Sequence, residues 1–535
     1  MRILGLTHPV GVDAAACLIL DGKVVALYEE ERFTRQKHAL NCLPINAVSS
    51  YLAKYGINST DLSSVAIGNT PPAREFALRS KVLSEWLGDL PALFAFHDER
   101  LKTFHRSYRY VDHHEAHALS MAPYLAGHEA NLIVIDGWGG EGAGAIFHSD
   151  GTGCLKRILD IPIESSLGLF YQAITAHLGF IPHAQEGKTM ALAAYAQPDS
   201  NLLPDWCDQT TGLPDLSSYI EHLHRLPKRR PEEPFTDMHM VVAATAQHYL
   251  QRSLVRLADL AHRRTGATIV GLAGGVALNC VANGYLAAQP FVRTLFAHPL
   301  SNDAGTSLGA AVAMQLELTG KLPAVPLDHV YLSLDYGEEE ISSALFSAGL
   351  RLTLYDPVEA VASALSNGKT VGIFAGRSEA GPRALGARSI IATPASAAVR
   401  DFINTVVKRR ERWRPFAPAI LPEFKEDILQ NGYATQFMTV ADLVKESWAD
   451  KLPGVVHVDG TTRAQIVSPA APPLFKHVIR RFFEMSGIPA VLNTSFNLNH
   501  ELIVLSPDHA ITTFRNSGLD MLAFDTGVVR KQEYV

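Results

Sequence analysis

The chain has 535 residues, 47% of them apolar and 19% charged, a composition that can bury sizeable cores and is unlike that of disordered chains. At roughly 100–200 residues per domain, this length predicts two or three domains. The formal net charge of −7 lacks the basic excess of a nucleic-acid binder, no run of 18 apolar residues offers a membrane span, and the cysteines are too scattered for a C-x-x-C site or a disulfide framework.

The N-terminal stretch is cut by Pro9 and Asp13 before any long apolar segment forms, so it reads as a first strand and not as a signal peptide. With an odd set of cysteines (Cys17, Cys42, Cys154, Cys207 and Cys280), this predicts a reducing, cytoplasmic setting. Residues 2–7, 14–20 and 23–28 read as β-runs, with Asp21-Gly22 as the hairpin turn between the last two. A further apolar run at 132–135 ends abruptly in Asp136-Gly137-Trp138-Gly139-Gly140. A polar insert over 199–237 contains the one compact basic cluster, Lys228-Arg229-Arg230, which reads as a solvated loop. Met240 to Arg264 predicts a long helix, with Leu250, Leu254, Leu257 and Leu260 at helical spacing and Gly266 as its stop. The run 268–272 then ends in Ala273-Gly274-Gly275. A strand followed by an acidic or glycine-rich turn, used repeatedly, is how actin-like ATPase and sugar-kinase folds build phosphate-binding turns. Pro323 and Pro326 mark a linker, and a new α/β alternation from 338 sets the domain boundary at 325–340. No internal repeat or low-complexity tract stands out.

Two constellations carry chemistry. Asp112-His113-His114-Glu115-Ala116-His117 puts His113 and His117 four apart, on one face of a helix, where paired imidazoles can chelate a divalent transition metal. With 22 histidines in the chain, about one such pair arises by chance, so the context decides. Asp136 ends an apolar strand and Asp303 sits in Asn302-Asp303-Ala304-Gly305; a carboxylate at the end of an apolar strand is costly unless paired or metal-bound. Leu272 to Asn279 removes side chains where a nucleotide would approach the backbone. The second constellation comprises Gly381-Pro382-Arg383-Ala384-Leu385-Gly386, Lys408 to Pro418 with Arg414-Pro415-Phe416, His457 to Arg463, and Asn493-Thr494-Ser495-Phe496-Asn497. Arginines set among Gly, Pro and aromatics differ from a solvated charge run. Their forks bind phosphate and carboxylate oxygens two at a time, while hydroxyls and amides fix a planar carbonyl.

On these strings, residues 1–325 resemble the actin-like fold of the tRNA threonylcarbamoyl-transferase (TsaD) family. Nearly the whole chain, including Glu29 to Arg35 and the His113–His117 motif, resembles the NodU/CmcH carbamoyltransferase family. The resemblance implies an α/β protein with a TsaD-like, actin-fold (ASKHA) domain over 1–330 and a YrdC-like α/β domain over 340–535. It implies a divalent metal (Fe2+ first, otherwise Zn2+ or Mn2+) on His113, His117 and Asp303 with Asp136 nearby. It also implies a nucleotide over Gly137, Gly139, Gly140, Gly274, Gly275 and Asn279, joined by Gly168 and Glu186. The second domain would make carbamoyl adenylate from carbamoyl phosphate and Mg2+-ATP on Arg383, Lys408, Arg414, Arg463, Asn493 and Ser495. The carbamoyl group would then pass to a hydroxyl of a small molecule, expected to be a secondary metabolite such as an antibiotic.

This sequence departs from the family's strings at Val12, where a His precedes the Asp, and at Ala380, Ala387 and His500, where Phe, Asn and Gly are usual. Valine cannot exchange a proton, so either the acceptor differs and is handled by His8, Asp13 or the metal, or the transfer step is impaired; Asp13 is counted among the catalytic candidates. The alternatives are a tRNA threonylcarbamoyl-type transferase, a HypF-type maturation transferase and a non-catalytic regulatory relative. The acidic charge speaks against the first and the absence of C-x-x-C zinc sites against the second. Neither nucleic acid nor membrane is expected as a partner, and a homodimer is left open.

Overall fold

The computed structural model describes residues 1–8, 10–69, 108–202, 208, 213–324, 327–353 and 356–531. Pro9, Cys207, Pro326 and part of the polar insert lie outside these residues. The described chain divides into two compact units, Met1–Thr34 with His38–Asp328, and Arg35–Lys37 with His329–Val535.

In the first unit, β1 (Arg2–Thr7) is buried on both faces from Ile3 onward, as a central strand must be. β2 (Ala15–Leu20) and β3 (Lys23–Glu29) continue from it as an antiparallel meander. Their turn is Asp21-Gly22, with φ of 46° and 77°, the double positive-φ geometry that makes Asp-Gly a hairpin signal. β4 (Ser64–Gly68) and β5 (Arg109–Val111) add in parallel on the other side of β1, giving the order β3-β2-β1-β4-β5.

A second sheet follows the same plan. β6 (Ala130–Gly139), β7 (Gly142–Ser149) and β8 (Leu155–Ile161) form the meander, and β9 (Ile269–Ala273) and β10 (Thr294–Ala297) add in parallel, giving β8-β7-β6-β9-β10. The fold therefore contains a repeat that the sequence does not display, because what is duplicated is connectivity and burial, not residue identity. This doubled α/β plan is the actin-like architecture expected from the glycine-rich strand ends. The helix Ala304–Thr319 lies so close to the helix His113–Met121 that a Cβ on Gly309 would overlap the Ala116 carbonyl. That contact brings Asp303, at the start of one helix, up to the histidines of the other. The long helix spans Asp237–Thr265 and stops at Gly266, whose φ is 79°, as its spacing predicts.

The second unit is built on a seven-stranded mixed sheet. Its strands are β11 (Val371–Phe374), β12 (Arg388–Ala392), β13 (Ala417–Ile420), β16 (Gln465–Ile466), β17 (Ala490–Ser495), β18 (Met521–Phe524) and β19 (Gly527–Arg530), in the order β16-β13-β17-β12-β11-β18-β19. A two-stranded ribbon, β14 (Asp442–Leu443) with β15 (Thr461–Thr462), precedes β16. β17 runs antiparallel to both neighbours, with Asn493 opposite Ile391 on one side and Ala417 on the other. Phe374, Phe416, Leu492, Phe496, Phe514 and Phe524 belong to its buried core. Among the described residues no helix is long and apolar enough to cross a membrane.

Candidate functional site

Each unit gathers its own set of predicted residues. In the first, Asp112 caps the helix His113–Met121 by accepting from the Glu115 amide at 3.0 Å. Starting the helix there puts His113 and His117 one turn apart on one face. Asp136 lies near the end of β6 and Asp303 directly before the helix Ala304–Thr319. One donor atom from each of the four lies within 4.8 Å of the other three. His113 Nε2 is 3.4 Å from Asp136 Oδ2 and 3.9 Å from Asp303 Oδ1, and His117 Nε2 is 3.5 and 3.7 Å from the same atoms. These separations exceed good N–H···O lengths of roughly 2.7–3.2 Å. They resemble the roughly 3.4 Å spacing of donors arranged tetrahedrally around an ion with bonds of about 2.1 Å. The donor set therefore fits a divalent metal, and imidazole with carboxylate suits iron, zinc or manganese alike.

The electrostatics agree. Burial disfavours a charged His117, but Asp136 and Asp303 outweigh it and push the imidazole up to about 9. Burial would raise Asp136, yet His113 and His117 hold its carboxyl well below the usual range. A Cβ on Gly139 would overlap the His113 imidazole, so this glycine makes room for a donor ring.

The other glycine-rich turns converge as well. β6 and β9 are parallel neighbours, so the turns after them emerge at the same edge, and the Gly275 amide donates to Asp136 Oδ1 at 3.3 Å. Ser166, which caps the helix Leu167–His177, donates to the Gly137 carbonyl at 2.7 Å. The missing side chains of Gly168 and Gly274 are accounted for by the protein itself, since a Cβ there would press on Gly137 and on Ile135. Gly140 has a φ of 58°, which favours glycine. Asn279 caps the helix Cys280–Ala287 and exchanges two hydrogen bonds with Gln247. Glu186 accepts from the His183 amide.

A narrow cleft beside the donors is lined by His8, Val12, Asn69, His113, Trp138 and Asp303, among others. Val12 thus faces the same space as the His and Asp donors. Asp13, with a φ of 56°, instead bonds His38 Nδ1 at 2.8 Å, and the His38 amide donates to Glu31 at 2.8 Å. His38 was not singled out by its sequence context, because its partner is 25 residues away.

In the second unit, a π-helical turn over Ile403–Val407 ends in a bond from the Lys408 amide to the Ile403 carbonyl at 2.7 Å. This widened turn, of a kind frequent at functional sites, sends Lys408 inward. Its ammonium is buried and donates to Asn497 Oδ1 at 2.6 Å, to Ser495 Oγ at 3.2 Å and to the Ser495 carbonyl. Arg410 lies 4.7 Å from the centre of the Phe416 ring and donates to Asn404 Oδ1 at 2.8 Å. Asn404 in turn clips the carbonyls of Arg412 and Arg414 at 3.1 and 2.9 Å. Burial and the neighbouring Arg410 and Arg414 push Lys408 well below its ordinary value. Burial, with Arg414 and Arg463 nearby, brings Arg410 down to about 9, and burial and Arg463 lower Arg414. None of these four cations makes an ion pair among the described residues, and Arg463 Nε is buried without a partner there. Arg410 is the member of this cluster that the sequence strings did not single out.

Arg383 is partly buried in the loop between β11 and β12. Buried Glu379 shapes that loop by accepting from the amides of Leu385 and Ala387 at 2.6 and 2.7 Å. Asn493 and Ser495 lie two apart on β17, and so on one face of it.

Two family models match the sequence, carbamoyltransferase C-terminus over residues 362–531 and carbamoyltransferase N-terminus over residues 86–312. Nodulation protein NolNO of Sinorhizobium fredii is 34% identical, over 97% of this chain and 79% of its own. Nodulation protein NolO of Bradyrhizobium diazoefficiens is 38% identical, over 79% of this chain and 79% of its own. Among solved structures, component A of the (R)-2-hydroxyglutaryl-CoA dehydratase of Acidaminococcus fermentans is 16% identical, with a TM-score of 0.35, covering 58% of this chain and 96% of that one.

Proposed function

The chain belongs to the carbamoyltransferase family, and on that premise we propose that it makes carbamoyl adenylate from carbamoyl phosphate and Mg2+-ATP and passes the carbamoyl group to a hydroxyl of a small secondary metabolite. The observation that carries this reading is the gathering of Lys408, Arg410, Arg414 and Arg463, where burial and neighbouring cations lower Lys408, Arg410 and Arg414 although Glu411 and Glu501 oppose the shift. Like charges brought together away from water raise the energy of the site, and a polyanion relieves them. Carbamoyl phosphate and the phosphates of ATP are such anions. Arg383, Arg414 and Arg463 would neutralise them as water releases phosphate from carbamoyl phosphate and the resulting carbamate oxygen displaces pyrophosphate from the α-phosphate of ATP. Lys408, tied to Ser495 and Asn497, would hold the oxygen charge that develops on the carbamoyl group.

In the first unit, His113, His117, Asp136 and Asp303 would hold a divalent metal, iron before zinc or manganese. When bound, it supplies Lewis acidity to a carbonyl or an acceptor hydroxyl. The strand-end turns at Gly137–Gly140 and Gly274–Gly275, with Gly168, Glu186 and Asn279 around them, would receive the nucleotide part of the adenylate. Val12, on the wall of the same cleft, offers no proton, so His8 and the Asp13–His38 pair are the nearby groups able to accept one from the acceptor hydroxyl.

The test is pyrophosphate release. Purified protein given ATP should release pyrophosphate only when carbamoyl phosphate is present, and mass spectrometry should find carbamoyl adenylate. Release that ignores carbamoyl phosphate, or no release at all, contradicts the proposal.

A further inference from the structure

Gln465 is fully buried at the start of β16, and Asn493 on β17 is 1% exposed. Gln465 Nε2 donates to the Leu385 carbonyl at 2.7 Å. Asn493 Nδ2 donates to Gln465 Oε1 at 2.8 Å and to the Ala384 carbonyl at 3.3 Å. The two backbone oxygens can only accept, and this fixes both amides. Gln465 must turn its NH2 to Leu385, so its oxygen faces Asn493, and Asn493 must answer with its own NH2. Asn493 Oδ1 is thereby turned out of the network. It is buried and receives no hydrogen bond among the described residues. Along β17 it shares a face with Ser495, on which Lys408 Nζ rests. Gln465 itself follows Arg463 by two residues, and its two partners lie two residues after Arg383 and two before Ser495. The amide pair thus ties together the three strings that carry the anion-binding candidates.

We propose that Gln465 is a positioning residue that locks Asn493 Oδ1 as a hydrogen-bond acceptor for the acyl donor, so that the site selects an acyl phosphate bearing N–H over one that does not. This rests on the carbamoyl-phosphate reading above and names what chooses the carbamoyl group within it. An unlocked asparagine could rotate its amide and present NH2 to NH2, which repels. Held by Gln465, it presents only oxygen. Acetyl phosphate has a methyl where carbamoyl phosphate has NH2 and is otherwise nearly the same shape. It offers Asn493 nothing to accept, and a polar site left unpaired rejects the analogue strongly.

The experiment measures carbamoyl-phosphate-dependent pyrophosphate release with acetyl phosphate as competitor and compares the Ki of acetyl phosphate with the KM of carbamoyl phosphate. In the unmodified protein acetyl phosphate should bind about 100-fold more weakly. Gln465→Met keeps the volume and removes the lock. The ratio should fall at least about tenfold, through a raised KM for carbamoyl phosphate with the Ki of acetyl phosphate nearly unchanged. A ratio that stays put while both constants worsen together would make Gln465 a purely structural residue and overturn the proposal.

Should Gln465→Met fail to fold, Gln465→Glu carries the test. Only its protonated carboxyl can both donate to Leu385 and accept from Asn493, so discrimination should recover as the pH drops from about 8 to about 5.5. A pH-independent ratio in Gln465→Glu overturns the proposal equally. Unmodified protein that releases no pyrophosphate refutes the carbamoyl-phosphate reading instead, and with it the role given to Asn493.

Discussion

The two clusters follow opposite electrostatic rules. In the first unit two imidazoles face two carboxylates, so the charges of one half compensate those of the other. His117 is held up at about 9 and Asp136 well below its ordinary range, each stabilised by the other. In the second unit Lys408, Arg410 and Arg414 are all displaced downward, by burial and by neighbouring arginines, Arg463 among them. A compensated set of donors is ready to exchange a proton for a metal cation. A repelling set of cations is relieved by a bound anion. The chain thus keeps a compensated donor set and a repelling cation set in separate units, which under the proposed function would serve transfer and activation respectively.

The comparison can be broken most forcefully from the anion side. Lys408→Ala removes the most deeply buried cation of the cluster and should lower pyrophosphate release by roughly 100- to 1,000-fold, the range for losing one preorganised charged donor. Metal content, measured on the same sample, should be unchanged. A smaller effect is expected from Gly139→Ala. The added methyl would overlap the His113 ring and displace one donor, weakening metal affinity by about 10- to 100-fold, as disturbed supporting contacts do. Competition with a chelator of known affinity reads this out, and pyrophosphate release should be unaffected. The smallest effect concerns His500, whose φ is 64°. A side chain in this left-handed region costs about 1 kcal/mol relative to glycine. His500→Gly should therefore raise the stability measured by denaturant unfolding by about that amount, sharpening the contrast between packing around the anion site and its chemistry.

What the sequence made legible follows from how local each signal is. The Asp21-Gly22 hairpin and the long helix ending at Gly266 are written in residues that are neighbours along the chain, and both are found as expected. The His113–His117 pair was readable because four residues is one helical turn, and the resemblance to a family supplied Asp136 and Asp303. The pairing of Asp13 with His38 depends on two turns, each with an unusual positive φ, meeting across the fold. No spacing rule announces that. Arg410 stood in plain view among basic neighbours, but its burial follows from the π-helical turn and the Asn404 clip, which leave no mark on composition. A lone glutamine such as Gln465 carries no pattern at all; only its bonds to Leu385 and Asn493 distinguish it. The glycines were recognisable as close-approach positions, yet what approaches Gly139, Gly168 and Gly274 includes the protein's own His113, Gly137 and Ile135, a fact that belongs to the fold.

The division of labour itself is tested most directly with His117→Ala, which removes one metal donor while leaving every residue of the second unit in place. Metal content by elemental analysis and pyrophosphate release with carbamoyl phosphate are measured on the same preparation. The account predicts that bound metal is lost, that release stays within about twofold of the unmodified protein, and that carbamoyl adenylate accumulates. Metal retained in full, or pyrophosphate release that falls together with the metal, would contradict it.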